Sequence, residues 1–214
     1  MRTIKTWLAT IALLLCSVSA SAQNFEVNGI MYYVTSEQEV QVFDETEILS
    51  GDVVIPETVT YNGITYNVTS IGSSAFEGCS SLTALSIPNS VTEIGYSAFH
   101  GCSSMASVNI PTGVKSIHGQ TFWGCSSLES IIIPFTVTSI DNYAFMGCSS
   151  LTSITIPKSV TEIRQFTFAG CTNLTSIIVE SGNTKYDSRN NCNAIIETKT
   201  NTLIQGCSST IIPS

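Results

Sequence analysis

Charge is scarce in this 214-residue chain. Lys and Arg number 8, Asp and Glu 16, and His 2, for a formal charge of −8. Nucleic-acid binders need clustered Lys and Arg, so a phosphate-binding surface is not expected. The chain also lacks GxGxxG, Walker A, HExxH and GxSxG motifs. No CxxC or CxH pattern supports a zinc site, and no DxDxDG run supports an EF-hand. A Cys nucleophile would need a His nearby. His100 and His118 are the only candidates; neither is read as having a matching acid at equivalent spacing, and both read as surface residues. No cofactor, no metal and no enzyme activity are expected.

Long apolar runs are missing too, except at the start. Arg2 and Lys5 precede a mostly apolar run from Trp7 to Val18, and Ala20-Ser21-Ala22 follows. That order reads as a signal peptide over residues 1–22, with Gln23 as the new N-terminus. The run is short for a membrane span. A lipid anchor on Cys16 is disfavoured by the bulky Leu15. Cleavage removes two positive charges and no negative ones, moving the formal charge from −8 to −10.

What the chain does have is a repeat. Phe-x-Gly-Cys recurs with Phe at 76, 99, 122, 145 and 168, and with Cys at 79, 102, 125, 148 and 171, always 23 residues apart. Pro88, Pro111, Pro134 and Pro157 keep the same step. Such regularity is read before any single motif. Complete units cover 82–104, 105–127, 128–150 and 151–173, and 68–81 is the second half of an earlier one. In the last unit Leu151, Ile154 and Ile156 alternate with polar residues as a short strand does. Pro157 ends that strand because it has no N–H to give. Val160, Ile163 and Phe168 point inward again, and Gly170 permits a turn with positive φ. One unit cannot pay for its own ordering, because about six buried side chains at roughly 1.5–3 kcal/mol each fall short of roughly 1.5 kcal/mol for every ordered residue. Stacked copies recover the deficit. Each Phe is therefore expected on the next Phe, and each Cys on the next Cys. With seven Cys left after cleavage and parallel side chains in the stack, the repeated Cys read as buried free thiols acting as small apolar fillers.

"LTSITIPKSVTEIRQFTFAGCTNL", from Leu151, resembles the BspA-like bacterial surface-antigen type of leucine-rich repeat. The resemblance spans roughly 50–214. It implies a secreted or surface-displayed β-rich solenoid, a right-handed coil of 23-residue repeats. It also implies binding to extracellular proteins, typically adhesion to host or neighbouring-cell proteins.

The flanks read differently. Asn28-Gly29 and Asn62-Gly63 sit between strand-like runs and predict hairpins. Residues 23–67 therefore form an N-terminal β-hairpin cap, before a solenoid over 68–178. Eight acids and no Lys or Arg lie between Glu26 and Glu57. They read as a self-repelling cap that discourages edge-to-edge pairing, not as a calcium site. Residues 179–214 form an irregular hairpin segment, with a hairpin in "NAIIETKTNTLIQGC" and a new coil starting in "STIIPS". Further repeats or a domain beyond Ser214, or a partner, would complete that end.

In a stack, constant positions face inward and changing ones face out. The residue between Phe and Gly reads Glu77, His100, Trp123, Met146 and Ala169. The residue between the strand Ile or Val positions reads Ser86, Asn109, Ile132 and Thr155, and the one after Pro reads Asn89, Thr112, Phe135 and Lys158. Exposed aromatic and large apolar residues mark contact surfaces. Trp123, Phe135, Met146 and His100 are the candidate contact residues. Trp123 either stands out as an anchor or folds back half-buried, and Ile132 is expected to fold back. The alternative to a binding protein is a structural spacer within a longer surface protein.

Overall fold

The computed structural model describes residues 23–43 and 49–211. The signal-peptide reading of residues 1–22, the acids at 44, 45 and 47, and Pro213 lie outside the described residues.

Both Asn-Gly pairs make hairpins. β1 (Asn24–Val27) and β2 (Ile30–Ser36) join through Asn28 and Gly29, at φ 55° and 78°. β5 (Thr58–Tyr61) and β6 (Ile64–Ile71) join through Asn62 and Gly63, at 50° and 80°. Two successive left-handed residues make the turn whose twist suits a hairpin. With β3 (Glu39–Val42) these strands form a sheet in the order β1-β2-β3-β6-β5. Phe25 stacks on Tyr61 across that sheet, with ring centres 4.4 Å apart.

The stack begins where β6 pairs in parallel with β8 (Glu93–Ile94), placing Ile71 beside Ile94. Further parallel ladders run through β4 (Gly51–Val54), β7 (Leu82–Ser86) and β9 (Ser107–Val108). β4 thus lies in register with the coils although it falls inside the segment expected to be hairpins. Next come β10 (Ser116–Ile117), β11 (Ser139–Ile140), β12 (Ser153–Ile156), β13 (Glu162–Ile163) and β14 (Ser176–Val179). Ile117, Ile140 and Ile163 stand side by side, as do Ile154 and Ile177. Among the described residues there is no α-helix, only a 3-10 turn at Arg189–Asn191. No helix there is long and apolar enough to cross a membrane.

The turns form their own ladder. Backbone N–H groups of Phe76, Phe99, Phe122 and Phe145 donate to the carbonyls of Ala98, Thr121, Ala144 and Thr167 at 2.8–2.9 Å. Gly78, Gly101, Gly124 and Gly147 donate likewise to His100, Trp123, Met146 and Ala169 at 2.7–2.8 Å. Gly suits this turn because the backbone is left-handed there: Gly170 has φ +74°.

Inside, the five Phe rings are at most 2% exposed, and neighbouring ring centres lie 5.2–5.6 Å apart. Cys79, Cys102, Cys125, Cys148 and Cys171 are buried thiols. They do more than fill space. The thiols of Cys102, Cys125, Cys148 and Cys171 donate to the carbonyls of Phe76, Phe99, Phe122 and Phe145 at 3.1–3.2 Å. Burial pushes Cys102 up to about 12 and Cys171 up to about 11, and it raises Cys125 well above a free thiol. Each therefore keeps its proton at neutral pH and stays a donor, not a thiolate.

The C-terminal end closes differently. β15 (Tyr186–Asp187), β16 (Ala194–Glu197) and β17 (Thr202–Gly206) form an antiparallel sheet. The Tyr186 hydroxyl accepts from the Ile163 N–H at 3.0 Å. The Asn183 side chain donates to the carbonyls of Pro157 and Val160 and accepts from the N–H groups of Lys185 and Tyr186, all at 2.8–3.0 Å. The chain then returns to the stack, where the Ser208 N–H donates to the Leu174 carbonyl at 3.3 Å.

Candidate interaction surface

The flank over the turns carries a row of rings. His100 lies 5.1 Å from Trp123, Trp123 5.8 Å from Tyr143, and Tyr143 5.5 Å from Phe166, centre to centre. Beside this row, Tyr96 stacks on His118 at 4.7 Å. His100 and Trp123 share one column, Tyr143 and Phe166 another, each pair 23 residues apart, and the row crosses between the columns from Trp123 to Tyr143. Trp123 is half-buried between its two neighbours, while Phe166 and Tyr96 are 56% and 55% exposed.

Backbone geometry explains how Tyr143 and Phe166 enter the row. They continue a column of left-handed residues that starts with Ser74, Ser97 and Gln120, with φ between 54° and 63°. Ser74, Ser97, Gln120 and Tyr143 each donate their N–H to a carbonyl of the next coil, at 2.8–3.2 Å. Bulky side chains pay roughly 1–2 kcal/mol for that conformation. The column was readable as Ser74, Ser97, Gln120, Tyr143 and Phe166 at the fixed interval, but its handedness was not.

Both His residues have acids after all, one coil away. His100 Nδ1 lies 2.9 Å from Glu77 Oε1, and His118 Nδ1 lies 3.5 Å from Asp141 Oδ2. This corrects the reading that neither His has an acid at equivalent spacing: stacking brings residues 23 apart into contact. Hydrogen bonds from Ser74 and then His100 hold the Glu77 carboxyl below its ordinary range. Asp141 also pairs with Arg164 at 3.2 Å, and Arg164 with Glu162 at 2.8 Å.

Of the four candidate contact residues, His100 and Trp123 meet directly. Met146 is half-buried in the same column, one coil beyond Trp123. Phe135 is 70% exposed and makes no ring contact with the row among the described residues. Ile132 is 83% exposed, which overturns the expectation that it folds back. Its neighbours Ile131 and Ile133 are buried, so the two flanking side chains take the inward positions and Ile132 is left outside. Tyr96 and Phe166, both exposed, and the half-buried Tyr143 were missed by the sequence reading.

BspA type Leucine rich repeat region is the family description that matches residues 69–196, in six copies. A leucine-rich repeat protein from Bacteroides ovatus is 38% identical, with a TM-score of 0.66 over 74% of this chain. This chain spans 45% of that protein's length. The T. pallidum Leucine Rich Repeat protein is 30% identical, with a TM-score of 0.63 over 72% of this chain and 71% of that one. A leucine rich cell surface protein from Faecalibacterium prausnitzii is 25% identical, with a TM-score of 0.59 over 87% of this chain and 62% of that one. No curated protein matches.

Proposed function

Because this chain belongs to the BspA type leucine rich repeat family, we propose that it is an exported, surface-displayed protein that binds extracellular proteins, in adhesion to host or neighbouring-cell surfaces. It works as a binding module and not as an enzyme. Residues 1–22 direct export. The Faecalibacterium protein's description as a cell surface protein supports that location. The stack is a right-handed solenoid of 23-residue coils over 68–178, with a cap before it and a hairpin segment after it. Strand partners 23 residues apart, such as Ile117, Ile140 and Ile163, support that reading.

The observation that carries the binding role is the ring row His100–Trp123–Tyr143–Phe166 on the outer flank, with Met146 beside it. Stacked rings are already ordered, so a partner loses little side-chain entropy in docking on them. Aromatic anchors dominate protein interfaces. Phe135 and Ile132 offer a second apolar contact elsewhere on the coil. Residues 23–214, screened against extracellular proteins, should capture a specific partner. Trp123→Ala with Phe135→Ala should weaken that partner by about tenfold or more, the range of an anchor residue. Unchanged capture by the double variant would remove the assignment.

A further inference from the structure

The seam between the hairpin cap and the coils holds a cavity of about 180 Å³. The β1–β2 hairpin contributes Asn28, Ile30 and Tyr32 to its lining. β4 contributes Asp52 and Val53, and Pro56 follows just after that strand. Sites that enclose a whole small-molecule ligand span about 300–1,000 Å³. This one is smaller, so it suits a single side chain or a molecule of that size.

One polar group in the lining has no partner. Tyr32 is 0% exposed, and among the described residues nothing hydrogen-bonds its hydroxyl. A buried hydroxyl in that state lowers stability until a partner arrives. Burial pushes the phenol up to about 12, so it stays neutral at neutral pH. Asp52 is then the one charged group of the lining. Its Oδ1 accepts from the Thr83 hydroxyl at 2.6 Å, and no cation pairs with it among the described residues. The cap supplies none either, because residues 23–67 contain no Lys, Arg or His. An uncompensated carboxylate in an acidic cap favours a cation over an anion.

We propose that this cavity binds a primary ammonium on a straight apolar stem, borne by a lysine side chain of another protein or by a free alkylamine. The stem lies against Ile30, Val53 and Pro56. The ammonium donates to the Asp52 carboxylate and to the Tyr32 hydroxyl oxygen, and its third N–H is left for the Asn28 side chain. The site uses neither the ring row nor Phe135, so it stands apart from the binding role proposed above.

The probes are n-pentylammonium and Nα-acetyl-lysine methylamide, titrated to about 20 mM into residues 23–214 while backbone amide resonances are followed. Ligands of this size should bind with a Kd of about 1 mM and shift the amides of 28–32 and 52–55. Pentanoate, of equal length and opposite charge, should leave those amides unmoved. Asp52→Asn keeps an acceptor for Thr83 and should weaken n-pentylammonium by about tenfold. Tyr32→Phe should weaken it by about threefold or more, without lowering the thermal midpoint, because the hydroxyl has no bond to lose in the free protein. Binding of the lysine probe fits a protein partner, and binding of n-pentylammonium alone fits a free amine. Absence of binding by both probes, shifts confined to other residues, equal binding of pentanoate, or undiminished binding by either variant would overturn the proposal. A lower midpoint in Tyr32→Phe would overturn it too, since the hydroxyl would then be satisfied already. Trp123→Ala should leave n-pentylammonium binding unchanged, so the ring row can fail without this site failing.

Discussion

Replacing Phe122 by Ala should cost this protein about 3–5 kcal/mol of stability. Phe122 is 1% exposed, with Phe99 5.4 Å away on one side and Phe145 5.2 Å away on the other. Losing the burial of one Phe accounts for about 1.5–3 kcal/mol. Each lost ring contact adds about 0.5–1.5 kcal/mol. The cavity cannot collapse freely, because the backbone on both sides is pinned: Phe122 N–H donates to Ala144, and Phe99 N–H donates to Thr121. Phe122→Leu refills most of the volume and should recover more than half of the loss. Urea unfolding followed by circular dichroism measures both variants. In a stack each coil leans only on its neighbours, so a weakened central coil should also broaden the transition of Phe122→Ala or split it. A loss below about 1 kcal/mol, with the transition as sharp as wild type, would refute stacking as the source of stability.

Thiol accessibility gives a second test. On native residues 23–214 at pH 8, an aromatic disulfide reagent should label Cys207 first, because it alone of the seven is only partly buried. The others should wait for unfolding, and rapid reaction of all seven would contradict the buried donors. Asn183→Ala removes four hydrogen bonds at the C-terminal end and should cost about 1–3 kcal/mol in the same unfolding assay. Glu77 has a lowered carboxyl pKa, so it contributes stability above its unfolded pKa and loses that contribution as pH falls through the folded one. Glu77→Gln should therefore flatten the urea midpoint between about pH 5 and pH 2, and an unchanged slope would show that the contact with Ser74 and His100 has no energetic weight.

The interval was the legible part of this chain. Phe76 to Phe168 and both Asn-Gly hairpins stand where their spacing and turn chemistry imply. The missed features share one cause: stacking makes neighbours of residues that a single unit keeps apart. Glu77 and His100 look unrelated within their own units, yet one coil of rise brings them to 2.9 Å. The repeated Cys gave burial but not direction, and only the structure shows the thiols of Cys102, Cys125, Cys148 and Cys171 aimed at the Phe carbonyl one coil back. Tyr143 and Phe166 escaped notice because a left-handed backbone turns them outward, and that conformation follows from coil-to-coil bonds rather than from their own propensity. The end of the stack was harder still. Tyr186 supplies a hydroxyl where the next coil would bring backbone, and no spacing encodes that substitution.

Spin labels at Glu77 and Ala169 test the central claim most directly. Both residues face outward in one column, four coils apart. Four strand spacings of about 4.8 Å put their Cα atoms about 19 Å apart. With Cys207→Ser to remove the accessible native thiol, electron–electron dipolar spectroscopy should return one narrow distance near that value, allowing for the label arms. A broad distribution, or a distance beyond about 35 Å, would mean that successive copies do not stack, and the flank on which the binding role depends would not exist.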